Sequence, residues 1–130
     1  MSTLTVDTVS ARQTNGDLTL SGNGTGNIVV SSSAAVNALT TDNDASFDMQ
    51  AGNNFKCTPS GTATLTFTNI TDGQSGNILF INSGGHAISL HTNTKGDANL
   101  ATTISTAGTY WISYYSDGTN VYCTTSTAFA

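Results

Sequence analysis

Charge is what this sequence has least of. Charged residues make up 8% of the 130, where roughly 25% is usual for a soluble domain. Glutamate is absent, all eight acids are Asp, and the only bases are Arg12, Lys56 and Lys95, for a net charge of −5. Three scattered bases form no stripe that could neutralise a phosphate backbone, and no basic segment could lie on an anionic membrane. Nucleic acid and membrane are therefore not expected partners. Solubility has to come from Thr, Ser and Asn.

Other absences exclude further classes. The start MSTLTVDTVSAR has no charged region followed by an apolar one, and no run approaches the roughly 18 apolar residues of a membrane span. Synthesis in a cytoplasm without Sec export is the expectation. Cys57 and Cys123 form neither a CxxC pair nor a metal-ligand spacing. They read as small apolar strand residues, able to pair only if their strands meet. There is no GxSxG elbow, no Ser-His-Asp constellation and no Asp/Glu pair of the glycosidase kind, so neither catalysis nor a cofactor is expected. His86 and His91, five apart on an expected strand, would point to opposite faces and share no metal. Asp42-Asn43-Asp44 begins like a calcium loop but lacks its spaced ligands and closing Glu. It reads as solvated linker.

What remains favours strands. Thr suits a pleated surface, while Ser, Asn and Gly compete with helix and supply turns. A hydrophobic fraction of 37%, with five Phe, four Tyr and one Trp, is enough to fold one core. The first thirty residues hold three apolar pulses: Leu4 and Val6, Leu18 and Leu20, and Ile28 to Val30. NGDLTL (Asn15 to Leu20) and TGNIVV (Thr25 to Val30) resemble each other, as two strands joined by a glycine-rich turn would. So few large side chains bury little by themselves. Residues 1–45 are expected to be an attachment arm and linker, with Ser31 to Ser46 the polar connecting stretch, and residues 46–130 the folded domain.

In that domain, strand signals recur about every 8 to 12 residues, the spacing of an antiparallel sandwich or barrel. Ala63, Leu65 and Phe67 alternate with Thr64, Thr66 and Thr68, which gives one buried face. GNILFIN (Gly76 to Asn82) is apolar at consecutive positions, as a central strand covered on both sides would be. Ser83-Gly84-Gly85 then predicts a hairpin with HAISLH (His86 to His91), and Asp117-Gly118 a second between GTYWISYYS (Gly108 to Ser116) and NVYCTT (Asn120 to Thr125). The expected fold is an all-β, antiparallel, jelly-roll-like β-sandwich with an extended N-terminal β arm.

Alternation must send some of the rings Tyr110, Trp111, Tyr114, Tyr115 and Tyr122 outward and bury the rest. The outward ones are candidates for contact between subunits or, in the other use of such rings, for a sugar. With Leu4, Val6, Leu18, Leu20, Ile28 and Val30 of the arm, they make up the candidate attachment and interface residues.

Three segments, MSTLTVDTVSA, ITDGQSGNILFINSGG (Ile70 to Gly85) and TTISTAGTYWISYYSDGTNVY (Thr102 to Tyr122), resemble small β-rich modules of tailed-bacteriophage virion proteins. Such modules occur in tail fibres and in capsid-surface proteins. The last segment is the most specific of the three. The resemblance implies a structural role in the virion, a β-sandwich and homotrimeric assembly, and it carries no catalytic residue. With no long shaft in the sequence, the expectation moves from a receptor-binding fibre toward a capsid decoration, or cement, protein. Its partners would be its own copies and the major capsid protein or other virion proteins, with a host-surface glycan in the fibre alternative.

Overall fold

Strands do dominate, but the chain joins them differently from a sandwich. The computed structural model describes residues 8–10, 12 and 39–129. The chain divides into two units, 1–35 and 36–130, and every element below belongs to the second. The expected arm strands, with Leu4, Val6, Leu18, Leu20, Ile28 and Val30, lie outside the described residues.

The elements in order are β1 (Thr40–Thr41), β2 (Ser46–Asp48), β3 (Asn54–Cys57), β4 (Ala63–Thr68), β5 (Asp72–Asn82), β6 (Ile88–Leu90), β7 (Thr94–Lys95), α1 (Leu100–Ile104), β8 (Gly108–Asp117) and β9 (Val121–Thr125). They build a six-stranded sheet in the order β1-β3-β5-β8-β9-β7 and a three-stranded sheet in the order β2-β4-β6. Odd and even strands alternate between the sheets as far as β6, so the chain winds through three coils. Each coil lies parallel to the one before: β1 on β3, β3 on β5, β2 on β4 and β4 on β6. After the third coil the winding stops. β8 returns antiparallel to β5, β9 returns antiparallel to β8, and β7 lies parallel along β9.

The fold is thus all-β, as expected, but it is a β-solenoid with mixed sheets and not an antiparallel, jelly-roll-like sandwich. The two predicted hairpins divide on this point. Asp117-Gly118 does close a hairpin: Gly118 takes φ +84°, a left-handed value that a side chain would strain, and the Asp117 N–H donates to Asn120 O at 3.1 Å. Ser83-Gly84-Gly85 turns the chain too, but it carries it from β5 in one sheet to β6 in the other, where β6 pairs with β4. GNILFIN is central in its sheet, between β3 and β8. Only one of its faces is fully covered, because Ile78 and Phe80 are buried while Leu79 and Ile81 are half-exposed. Asp42-Asn43-Asp44 is no linker: it forms the corner of the first coil, between β1 and β2.

The core lies between the two sheets. Phe47 of β2 and Phe67 of β4 reach across to Phe55 of β3 and Tyr114 of β8, with ring centroids 5.1 to 6.4 Å apart. These tilted pairs add to the gain from burial itself. The alternation read over residues 63–68 holds, with Leu65 and Phe67 inside and Thr64 and Thr68 outside. The single turn of α1 buries Leu100 and Ile104 against the core. Among the described residues no helix is long and apolar enough to cross a membrane.

Candidate functional site

β8 alternates strictly, burying Tyr110, Ile112, Tyr114 and Ser116 and turning Trp111, Ser113, Tyr115 and Asp117 outward. The aromatic candidates therefore separate into two groups. Tyr110 and Tyr114 are core residues whose phenols donate to Thr106 O at 2.9 Å and Asn53 O at 2.8 Å. Trp111, Tyr115 and Tyr122 stand on the outward face of the six-stranded sheet, exposed by 45%, 53% and 48%.

Strand register arranges that face in rows. Thr41, Lys56, Leu79 and Trp111 form one; Asn54, Asn77, Ser113 and Thr124 the next; and Ser75, Tyr115, Tyr122 and Lys95 the third. Trp111 and Tyr115 sit four residues apart on one strand, about 13 Å along it. Between them the surface is polar and tied together. Asn77 Oδ1 accepts from the Trp111 indole Nε1 at 3.1 Å and from Ser113 Oγ at 2.9 Å.

A shallow groove of about 410 Å³ opens beside this row, lined by Asn53, Asn54, Ser75, Gly76, Asn77, Ser113 and Tyr114. It exists because β3 begins only at Asn54, opposite Asn77, and leaves Ser75 and Gly76 of β5 without a strand on that side. The Asn53 carbonyl occupies the gap, accepting from Asn77 N–H at 3.1 Å and from the Tyr114 phenol. A Cβ on Gly76 would lie 1.7 Å from that oxygen, so the position requires glycine. Among the described residues no charged side chain lines the groove.

At the hairpin end, Asp117 accepts from the N–H groups of Asn120 and Thr119 and from the Tyr122 hydroxyl. These bonds hold its carboxyl down at about 2 and push the Tyr122 phenol up.

The remaining candidates do not meet at a site. His86 is half-buried, while His91 is exposed and bonds Asn93 at 2.6 Å; both flank the short β6. Asn43 and Asp44 spend their side-chain oxygens on the backbone, on Thr58 N at 2.9 Å and Ser46 N at 2.8 Å. Among the described residues no group of three or more His, Cys, Asp or Glu is placed to hold a metal ion. Cys57 and Cys123 are free and buried, and desolvation pushes both thiols up to about 12, far from nucleophilic.

Asn54, Ser75, Asn77 and Ser113 escaped the reading of the sequence. The signal for Asn77 was present, since alternation from buried Ile78 and Phe80 puts Asn77 on the opposite face. The consecutive apolar run hid it. The geometry offers oriented neutral hydrogen-bonding groups between exposed rings, which is equipment for binding. No family model, no curated protein and no solved structure significantly matches this chain.

Proposed function

We propose that this chain is a non-enzymatic structural protein of a tailed-bacteriophage virion, displayed as a homotrimer on the particle and acting as a capsid decoration or cement protein. The observation that carries the proposal is the rigid outward sheet face, on which Trp111, Tyr115 and Tyr122 stay about half exposed above a closed core. Large amphipathic rings fixed on a sheet are contact residues, since little side-chain entropy is lost when they are covered. The resemblance to phage virion modules supports the same reading. Two of its segments, residues 70–85 and 102–122, supply β5, β8 and the first two residues of β9, adjacent strands of that sheet.

In this mechanism the first unit, residues 1–35, grips the particle, and copies meet through the Tyr115 and Tyr122 patch of the second. Attachment at several points then resists expansion of the shell by packaged DNA. With so few ions to screen, such contacts are expected to survive salt up to about 1 M, where the Debye length is about 3 Å.

The deciding experiment is the copy number per virion, from quantitative mass spectrometry of purified particles against the major capsid protein. About one copy per capsid subunit supports decoration. A few tens or fewer moves the protein to a vertex or tail fibre, and absence from particles refutes the virion role. Sedimentation of the purified protein tests the trimer, which Tyr122→Ala should weaken.

A second reading, the receptor-binding module of a fibre, is favoured by one feature: the polar row centred on Asn77 between the exposed rings.

A further inference from the structure

We infer that the groove beside the Asn77 and Ser113 row is a binding site for a neutral saccharide. The inference rests on the second reading above and gives that reading a ligand class and a place on the fold.

Four features of the groove select this occupant. The first is size, because about 410 Å³ falls within the roughly 300–1,000 Å³ of small-ligand sites.

The second is the polarity pattern. Asn77 has given both lone pairs of Oδ1 to Trp111 and Ser113, so what its side chain has left to offer is N–H donors. Ser113 has spent its hydrogen on Asn77 and offers lone pairs. A donor beside an acceptor matches neighbouring hydroxyls on a sugar ring, each of which gives one bond and takes another.

The third is the exposed Trp111 ring, whose indole bonds the lining residue Asn77. Its face suits the C–H surface of a pyranose, and its orientation by that bond lowers the ordering cost of binding.

The fourth is charge. Among the described residues the lining is neutral: amides, hydroxyls, backbone and the Tyr114 phenol. An anionic sugar would lose hydration there without gaining a counter-ion.

The groove also argues against a peptide strand added at the β5 edge. The backbone there is already engaged by Asn53 O, and the Gln74 side chain closes the corner through bonds to Met49 O, Gly52 O and Asn53 Oδ1 at 2.7 to 3.2 Å. With Asn77 N–H taken and the corner closed, only the short Ser75–Gly76 stretch is left, too little ladder for strand addition.

The test uses the full-length protein on an array of neutral and acidic glycans, followed by titration calorimetry with any neutral oligosaccharide bound. Trp111 is the only tryptophan, so its fluorescence reports the same event independently. Trp111→Ala removes the ring bonded to Asn77, Ser113→Tyr fills the groove without charge, and Thr68→Ala changes an exposed side chain of the other sheet. The expected result is binding to a neutral glycan that weakens at least tenfold in the first two variants and persists in the third, with unfolding midpoints close to that of the unchanged protein.

Three results would each overturn the inference: no neutral glycan bound by the folded protein, preference for acidic glycans, or affinity retained in both Trp111→Ala and Ser113→Tyr. Self-association abolished by Trp111→Ala would likewise assign this end of the face to contact between copies. A protein abundant on particles but binding no glycan defeats this inference alone. A glycan-binding protein missing from particles defeats the virion role and leaves this site standing.

Discussion

Asn82 holds Ile104: its carboxamide, fully buried at the end of β5, donates to the Ile104 carbonyl at 2.8 Å. The same nitrogen donates to His86 O and the oxygen accepts from His86 N–H, both at 2.8 Å. One side chain thus satisfies the last carbonyl of α1 and both backbone groups of His86 at the corner between the sheets. Asn82→Leu keeps the number and branching of the side-chain heavy atoms, is bulkier, and makes none of these bonds. Stranding buried polar groups costs about 1–3 kcal/mol each, so a loss of roughly 3 kcal/mol is expected in urea unfolding. A loss under about 1 kcal/mol would mean that water or relaxation replaces the carboxamide.

Phe67 touches Phe47 at 5.7 Å and Tyr114 at 5.1 Å between ring centroids, so it joins the two sheets through their aromatic centre. Phe67→Ala should destabilise by about 3–5 kcal/mol, through lost burial and the cavity left behind. Thr68→Ala, one residue on and exposed, should change stability by about 0.5 kcal/mol or less. Equal effects in the two variants would contradict the assigned faces of β4.

Strand existence and most of the facing were legible in the sequence, while pairing was legible only at the Asp117-Gly118 hairpin. Alternation in Ala63–Thr68 reports which side is buried, but parallel and antiparallel neighbours bury that side equally well. A turn signal such as Ser83-Gly84-Gly85 says that the chain reverses, and not whether it returns beside its own strand or crosses to another sheet. Internal repetition would have revealed the coils, but the coils are unequal. Thr40 pairs with Phe55, fifteen residues on, Phe55 with Ile78, twenty-three on, and Phe47 with Phe67, twenty on. No fixed period survives such corners. The candidate site was half legible: Trp111, Tyr115 and Tyr122 follow from ring chemistry and alternation. Asn77 and Ser113 become a site only through the β5–β8 register, which no local pattern encodes.

The hairpin turn should carry an acid-sensitive contribution. Asp117 has its folded pKa lowered from 3.8 to about 2 by the turn N–H groups and Tyr122. Its contribution is therefore complete above pH 3.8 and is lost as pH falls through about 2. In an NMR titration, Asp117 should show its midpoint near pH 2. Tyr122→Phe should move that midpoint upward, because one donor to the carboxylate is gone. An unchanged midpoint in Tyr122→Phe would show that the phenol does not bond the carboxylate in solution.

Alkaline pH should test the core itself. Burial raises Cys57 and Cys123 from 9.0 to about 12, and Tyr114 from 10.0 to about 12. For all three the neutral form is the one the fold accepts. Their contribution is therefore complete below the unfolded values and declines between about pH 9 and 12, as the unfolded chain gains from ionising where the folded chain does not. Stability should be flat near neutrality and fall over this alkaline window. Cys57→Ala with Cys123→Ala should make the fall shallower, whatever the two substitutions cost at neutral pH. A thiol reagent offers an independent check: at pH 8 it should modify both cysteines only as fast as the core opens, with a rate that rises with urea. Rapid modification without urea would mean that these thiols are reached from the folded state, and would contradict the burial on which the alkaline window depends.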